Sequence, residues 1–329
     1  MKLYGRRSVA GGCLAILAGL VAVAAPAQAQ NYPTRSITMI VPFAAGGPTD
    51  VIARIVTGHM AQTLGQAIII ENVVGAGGTT ATTRASRATN DGYTLITGHM
   101  GTHAASVPLY PKLAYHPETS FEPVGLLAGT PILILARKDF APKDLKEFVA
   151  YVKANETKVN AAHAGVGSVS NVSCELLNSV LGVKPVGVPF NGTGPAMNAL
   201  VGGQVDYMCD QIVNAVPQIT GGTIKAYAVA TPARNPSLPD LPTTTEAGLP
   251  AFQAQAWNAI FAPKGTSPEI VAKLNAAVVK ALDDENVRKR LLDLGSVIPA
   301  GNDRTPAALA ALVKSEIAKW SAVVKPAAN

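Results

Sequence analysis

The chain has 329 residues, enough for two domains of ordinary size. Hydrophobic residues make up 48% and charged residues 15%, which favours a large core and argues against disorder; aromatics at 5% exclude a stacking platform for nucleic-acid bases. The formal charge of +6 falls to +3 once the first 29 residues, with three positive and no acidic side chains, are set aside, so no basic stripe for a polyanion is expected.

Those first residues read as a secretion leader. Lys2, Arg6 and Arg7 form a positive start, residues 11–25 are apolar, and Ala27-Gln28-Ala29 is a small-x-small cleavage site. Cleavage would leave Gln30 as the first residue of a periplasmic protein. The residues after Arg6 and Arg7 fit the twin-arginine consensus poorly, so ordinary secretion is expected. Cys13 lacks the leucine three positions earlier that a lipoprotein site requires. After residue 30 no run approaches 18 apolar residues. Cys174 and Cys209 remain, either as a pair in an oxidising compartment or as two buried thiols. No metal-ligand spacing and no cofactor motif are present.

From residue 36 the pattern alternates strand and helix: strand 36–41, helix 48–64, strand 67–72, helix 79–88, strand 93–97. A βαβαβ unit makes a parallel sheet with right-handed crossovers, and ligands bind such sheets at the carboxyl ends of the strands. The first strand runs into Pro42-Phe43-Ala44-Ala45-Gly46-Gly47-Pro48-Thr49-Asp50, where glycines allow close approach and proline suits a helix's first turn. That junction is an anion site in outline. The loop 97–103 leads to a short helix over 104–110. If the strand order is 2-1-3, it lies beside the first junction. A proline-rich passage over 111–123 follows.

A strand over 132–136 reads as a crossing into a second lobe. There the pattern is helix 144–154, strand 159–162, helix 169–180, strand 185–188, helix 196–201, strand 206–209, helix 211–219 and strand 225–230. The loops 163–168 and 189–195 again carry Gly, Ser and Thr into helices. Residues 231–250 read as a surface connection, and a strand over 252–262 returns to the first lobe. Helices over 267–283, 285–294 and 306–324 should cover its sheet. The α/β pattern thus gives 30–131 with 254–329 as one lobe and 132–253 as the other, with crossings near 131 and 253.

The motifs of nucleophilic hydrolysis, zinc proteolysis, dinucleotide binding and phosphate-loop binding are not met. His99 and His103 stand four apart, but Gly98 and Gly101 argue for a loop and no acidic partner adjoins them; His103 is the better wall of a cleft. Asp50 opens a helix, as dipole partner, loop anchor or ligand contact. Asp210 ends a strand, as ligand contact, helix cap or latch between lobes. Thr102, Ser168 and Thr193 place hydroxyls at loop–helix junctions, where capping is their ordinary work. Several such junctions poor in Lys and Arg favour capture of a carboxylate by amides and hydroxyls.

Tyr32-Pro33, Val41-Pro42-Phe43, Gly46-Gly47 and Asp50 come first in a longer run of motifs. Glu71-Asn72, Gly75-Ala76-Gly77-Gly78 and Asp91-Gly92-Tyr93-Thr94-Leu95 follow, then Gly165-x-Gly167-Ser168, Val188-Pro189-Phe190, Leu200-x-Gly202-Gly203 and Pro242-Thr243. In that order they resemble the Bug (Bordetella uptake gene) family, the solute receptors of tripartite tricarboxylate transporters. The resemblance implies a two-lobed type II periplasmic-binding-protein fold, each lobe a mainly parallel sheet flanked by helices, closing on a small carboxylate. It implies one wall of Phe43, Ala45, Gly46, Gly47 and Asp50 with Gly101, Thr102 and His103. The facing wall would be Ser168, Asn171, Phe190, Gly192, Thr193 and Asp210. Members of the family often carry histidine where this chain has Asn171 and a small residue where it has His163, so the ligand does not transfer from a relative. The implied partners are the large and small membrane subunits of the transporter, around a monomeric receptor. A sensor presenting its ligand to a histidine kinase, or a periplasmic enzyme using His103 and Asp210, are the other readings.

Overall fold

The computed structural model describes residues 1–2 and 31–323; apart from its first two residues the expected leader, with Cys13, lies outside them. The described residues from Pro33 onward form one compact unit. Strand β1 (Ile37–Val41) has no polar residue but Thr38, and its Ile37, Met39, Ile40 and Val41 are fully buried. That is the composition of a central strand covered on both faces. It pairs in parallel with β2 (Ile68–Asn72) and β3 (Thr94–His99), so the order 2-1-3 holds. Helix α1 (Pro48–Leu64) joins β1 to β2, and α2 (Thr79–Ser86) joins β2 to β3.

The second group repeats the device. β5 (Asn160–His163), β6 (Val186–Pro189) and β7 (Tyr207–Gln211) run in parallel. They are linked by α5 (Val169–Leu181) and α6 (Thr193–Val201), and α7 (Ile212–Thr220) leaves β7 for β8 (Ile224–Val229). Helix α4 (Leu145–Ala154) precedes β5 and is capped by Asp144.

Two long strands join these groups. β4 runs from Phe121 to Arg137 and β9 from Gln255 to Pro263. The sequence reading expected a strand only over 132–136, after the proline-rich passage 111–123; β4 instead begins at Phe121 and includes Pro123, Gly125, Gly129 and Pro131. The strand accommodates them through register shifts between Pro123 and Gly125 and between Leu126 and Ala128. Bulges of this kind absorb a missing N–H. β4 pairs with β9 from Phe121 to Pro131, then with β7 and β8 from Ile132 to Arg137. β3, β4, β7, β8 and β9 pair antiparallel, so the parallel character belongs to β1–β3 and β5–β7. Where β4 changes partners three backbones interlock: Ile132 N–H donates to Ala254 O (3.3 Å), Ala254 N–H to Ala230 O (2.8 Å) and Ala230 N–H to Ile132 O (2.8 Å).

The C-terminal helices cover the first group, as expected. α8 (Pro268–Asp283) packs on α1 and β4, with α9 (Glu285–Asp293) beside α1, and α10 (Pro306–Val323) lies on β4. No helix among the described residues is long and apolar enough to cross a membrane. Beneath this cover Phe261 stacks on His103 at 4.0 Å between ring centres and meets Phe121 edge-on at 6.2 Å. Phe261 is fully buried. Replacing it with alanine should cost about 3–5 kcal/mol through cavity formation. Urea unfolding should show a lower midpoint at unchanged slope.

Candidate functional site

One wall of the site is the β1–α1 junction. Gly46 takes a left-handed φ of 82°, which turns the chain sharply before Pro48. Pro48 brings no N–H and no side chain caps α1, so the amides of Thr49 and Asp50 head the helix without a side-chain partner. The Asp50 carboxylate is occupied elsewhere. Oδ2 accepts from Gly46 N–H (3.0 Å) and Arg54 Nε (2.9 Å), and Oδ1 from Asn72 Nδ2 (2.9 Å). Asn72 Nδ2 also donates to Phe43 O at 2.9 Å. Burial by itself would raise the pKa of Asp50; the bonds from Arg54, Gly46 and Asn72 outweigh it and hold the carboxyl below its ordinary value. Asp50 therefore ties the loop to α1 and β2.

Two further helix N-termini form the opposite wall. Ser168 caps α5, its Oγ accepting from Asn171 N–H at 3.2 Å, and Ser170 Oγ accepts from Ala164 N–H at 2.9 Å. α6 begins after Gly192 with no side-chain cap, and its first residue, Thr193, is buried against Gly47. Each helix start carries partial positive charge. The walls touch. Ala44 N–H donates to Asn191 O at 3.0 Å and Tyr110 Oη to Val166 O at 2.6 Å. A Cβ on Gly77 would run into the carbonyl of Val166, so this approach requires glycine.

Phe43, Gly47, Pro48, Thr49, Asp50, His99, Ala164, Ser168, Val169, Ser170, Thr193 and Gln211 line the cleft. It has about 270 Å³ of space between atoms, of which about 10 Å³ can hold the centre of a water. That is room for roughly one water molecule. A ligand larger than water requires the walls to part.

Two side chains at the back of the cleft are set by their partners. The His99 ring stacks on Phe43 at 5.0 Å, and its Nδ1 accepts from Gly101 N–H (2.9 Å) and Thr102 N–H (3.3 Å). The ring proton therefore sits on Nε2. Burial pulls the His99 pKa down to about 3, so it offers a neutral donor. Gln211 Oε1 accepts from Thr130 Oγ1 (2.7 Å) and Asn258 Nδ2 (3.0 Å). Both oxygen partners lie on the joining strands β4 and β9, which leaves the Gln211 NH₂ as the group free for the cleft. No Lys or Arg is among the lining residues.

Of the residues expected from sequence, Phe43, Gly47, Asp50, Ser168 and Thr193 line the cleft, and Phe190 lines a second pocket that shares Phe43 and Ala164 with it. Gly192 packs against Ala44, while Ala45 and Gly46 shape the loop, with the Gly46 N–H spent on Asp50. The others sit elsewhere. His103 is fully buried in the core, its ring filling the space that a side chain on Gly98 would need. It follows Gly101 in a π-helical turn, Gly101–Ala105, that rolls it away from the cleft onto Phe261. Burial, then the neighbouring His99, push its pKa well below the ordinary value. Thr102 spends its hydroxyl on His99 and on His103 Nδ1 (3.0 Å), and Gly101 gives its N–H to His99. Asn171 turns back to accept from Gly167 N–H at 2.9 Å. Asp210 is fully buried and accepts from Gln211 N–H (2.8 Å) and Asn214 Nδ2 (2.7 Å); it orders the start of α7 and bonds nothing on the first wall. Burial pushes its pKa up to about 7, against the pull of Asn214 and Gln211.

Thr49, His99, Ser170 and Gln211 are polar residues lining the cleft that the sequence reading did not place there. The missing signal for Gln211 was strand phase. Tyr207 bonds Asn178 and Cys209 touches Cys174, both on α5, so Gln211 shares that face and Asp210 points away from it.

Residues 52–328 match the tripartite tricarboxylate transporter family receptor. The chain belongs to this family. Among solved structures it is similar to MatC (Rpa3494) from Rhodopseudomonas palustris with bound malate: 59% identity, 89% of this chain and all of that one covered, TM-score 0.87. The periplasmic binding protein BugD is 43% identical over 90% of this chain and all of its own, at TM-score 0.87. R. palustris Rpa4515 with adipate is 32% identical over 90% of this chain and all of its own, at TM-score 0.85. The fold is thus the α/β fold of periplasmic binding proteins, and the resemblance to Bug proteins read from sequence is correct.

In this member of the family, Asp50 makes loop order depend on pH. Its folded pKa lies below the ordinary 3.8, so its contribution to stability is complete above that value and is lost as the pH falls through the folded pKa. Asp50→Asn should cost about 2 kcal/mol at neutral pH. In urea unfolding, its gap from the wild type should narrow as the pH drops below 3.8.

Proposed function

We propose that this chain is the periplasmic receptor of a tripartite transporter, binding a small dicarboxylate between its two walls and delivering it to the large and small membrane subunits. The observation that carries this reading is the set of donors converging on one narrow cleft. The starts of α1, α5 and α6, His99 Nε2–H and the Gln211 amide all donate, and none is a cation. A carboxylate matches such a set, because amide and imidazole donors stabilise negative charge without the desolvation of an ammonium or guanidinium. Malate in MatC and adipate in Rpa4515 are both dicarboxylates. His99 favours a receptor over an enzyme: its Nδ1 is engaged by two amides and its low pKa makes it a poor base.

Delivery rests on hinge motion. Residues 31–131 with 254–323 move as one lobe against 132–253, flexing where β4 changes partners beside Ile132, Ala230 and Ala254. A cleft with room for one water opens to admit ligand, and ligand bridging the walls stabilises the closed form that the membrane subunits meet. The leader directs export and is removed after Ala29, and the receptor works as a monomer.

Malate and adipate should each raise the melting temperature, with roughly 2.7 kcal/mol of stabilisation at a hundredfold excess over Kd. Glucose should leave it unchanged; a response to sugars and to no carboxylate would overturn the reading. Gln211→Glu exchanges the cleft-facing donor for a negative group. Titration calorimetry should show dicarboxylate affinity lowered by about ten- to a hundredfold.

A further inference from the structure

Behind the second wall, Cys174 on α5 and Cys209 on β7 meet across 35 residues of chain. Their sulfurs are 2.6 Å apart. Unbonded carbon atoms pack at about 3.5–4.0 Å, and sulfur is larger, so two independent thiols do not rest this close. The Cys209 N–H also donates to Cys174 Sγ at 3.0 Å, which holds the α5 residue in line with the strand. Both residues are buried, Cys174 at 3% and Cys209 at 0% exposure. No group of His, Cys, Asp and Glu suited to a metal ion occurs among the described residues, so the pair is not part of a metal site.

We infer that Cys174 and Cys209 form an intramolecular disulfide in the exported protein, stapling α5 to β7 directly behind the ligand cleft. The inference rests on the periplasmic reading above for its oxidising surroundings. The chemistry is thiol–disulfide exchange with a disulfide-bearing oxidant, either a dithiol–disulfide oxidoreductase or glutathione disulfide. One cysteine thiolate attacks the oxidant's disulfide, forming a mixed disulfide and releasing one thiol of the oxidant. The second cysteine thiolate attacks the sulfur of the first, the Sγ–Sγ bond forms, and the other oxidant thiol leaves. Two protons and two electrons pass from the cysteine pair to the oxidant, which ends as two thiols. Because the folded protein buries both sulfurs, the exchange takes place before the core closes, and the finished bond is shielded from reductants.

The position gives the bond a consequence for binding. α5 begins with Ser168, Val169 and Ser170 in the cleft, and Cys174 follows one turn later; β7 ends with Gln211 in the cleft, two residues beyond Cys209. The staple fixes the distance between those two sets of donors. Closing a loop of this length also constrains the unfolded chain.

The test is differential alkylation of the full chain, read by peptide mass at Cys174 and Cys209. In protein taken from the periplasmic fraction, unfolded without reductant, neither cysteine should take up iodoacetamide. A linked peptide pair two hydrogens lighter than the separate thiol peptides should appear, and both cysteines should label after reduction. Labelling of both without reductant, in periplasmic protein lacking its leader, would overturn the disulfide. Failure of the export reading looks different: the chain then stays in the cytoplasmic fraction with residues 1–29 attached. A second arm decides the pairing in either case. Reduced, unfolded protein is refolded in a glutathione/glutathione disulfide buffer; the Cys174–Cys209 link should accumulate over glutathione adducts, and recovery of folded protein with both thiols free would refute the inference. The oxidised protein should melt roughly 5–10 °C above the reduced one, and reduction should weaken dicarboxylate binding severalfold.

Discussion

The pairing of β4 with β9 is the constraint on which the rest of the molecule depends. β4 gives its first eleven residues to β9 and its last six to the second strand group, so one strand belongs to both sheets. The two strand groups whose junctions line the cleft are joined through that shared strand. Gln211 makes the link concrete, because its side-chain oxygen is held by Thr130 on β4 and Asn258 on β9 while its amide nitrogen is left to the cleft. A polar group buried at such a crossing is held by the cost of leaving it unpaired. Its orientation is therefore a property of the crossing strands and not of β7 alone.

The chemistry of the cleft follows from what has been used up before a ligand arrives. Arg54 is spent on Asp50 and Asn72, and Asp50 on its own loop. Asp210 is spent on the start of α7. What remains at the cleft is backbone N–H, the hydroxyls of Thr49 and Thr193, one imidazole N–H and one amide NH₂, backed by helix dipoles. This is an arrangement in which many weak, well-placed donors replace one strong charge. Uncharged donors cost little desolvation where the walls meet, and they allow close contact between walls that two opposed cations would forbid.

The alternation of strand and helix was legible throughout, because buried parallel strands need continuous apolar runs and crossover helices need an apolar stripe. Ile37–Val41 and the segments over α5 and α8 show this directly. The joining strand was only partly legible: its apolar end over 132–136 was read, while its first half, with Pro123 and Pro131, is held as strand by bulged pairing with β9. The site was legible as loops more than as residues. Four loop–helix junctions were read, and His103 and Asp210 were named where the cleft is lined by His99 and Gln211. The difference lies in side-chain direction, which depends on the π-helical turn after β3 and on the phase of β7.

The sequence by itself determined the α/β class, the family, the loop–helix junctions that line the cleft and the absence of cationic side chains from them. These are consequences of local pattern: apolar periodicity, glycine and proline at turns, and which residue types stand at each helix start. Only the tertiary structure decided which side chains remain available. That depends on partners far apart in the chain. Asn72 reaches Asp50 across 22 residues, and Gln211 is locked by a threonine 81 residues before it and an asparagine 47 residues after it. A hydrogen bond between distant residues leaves no period in the sequence, and those bonds separate a residue that can meet a ligand from one already occupied by the fold.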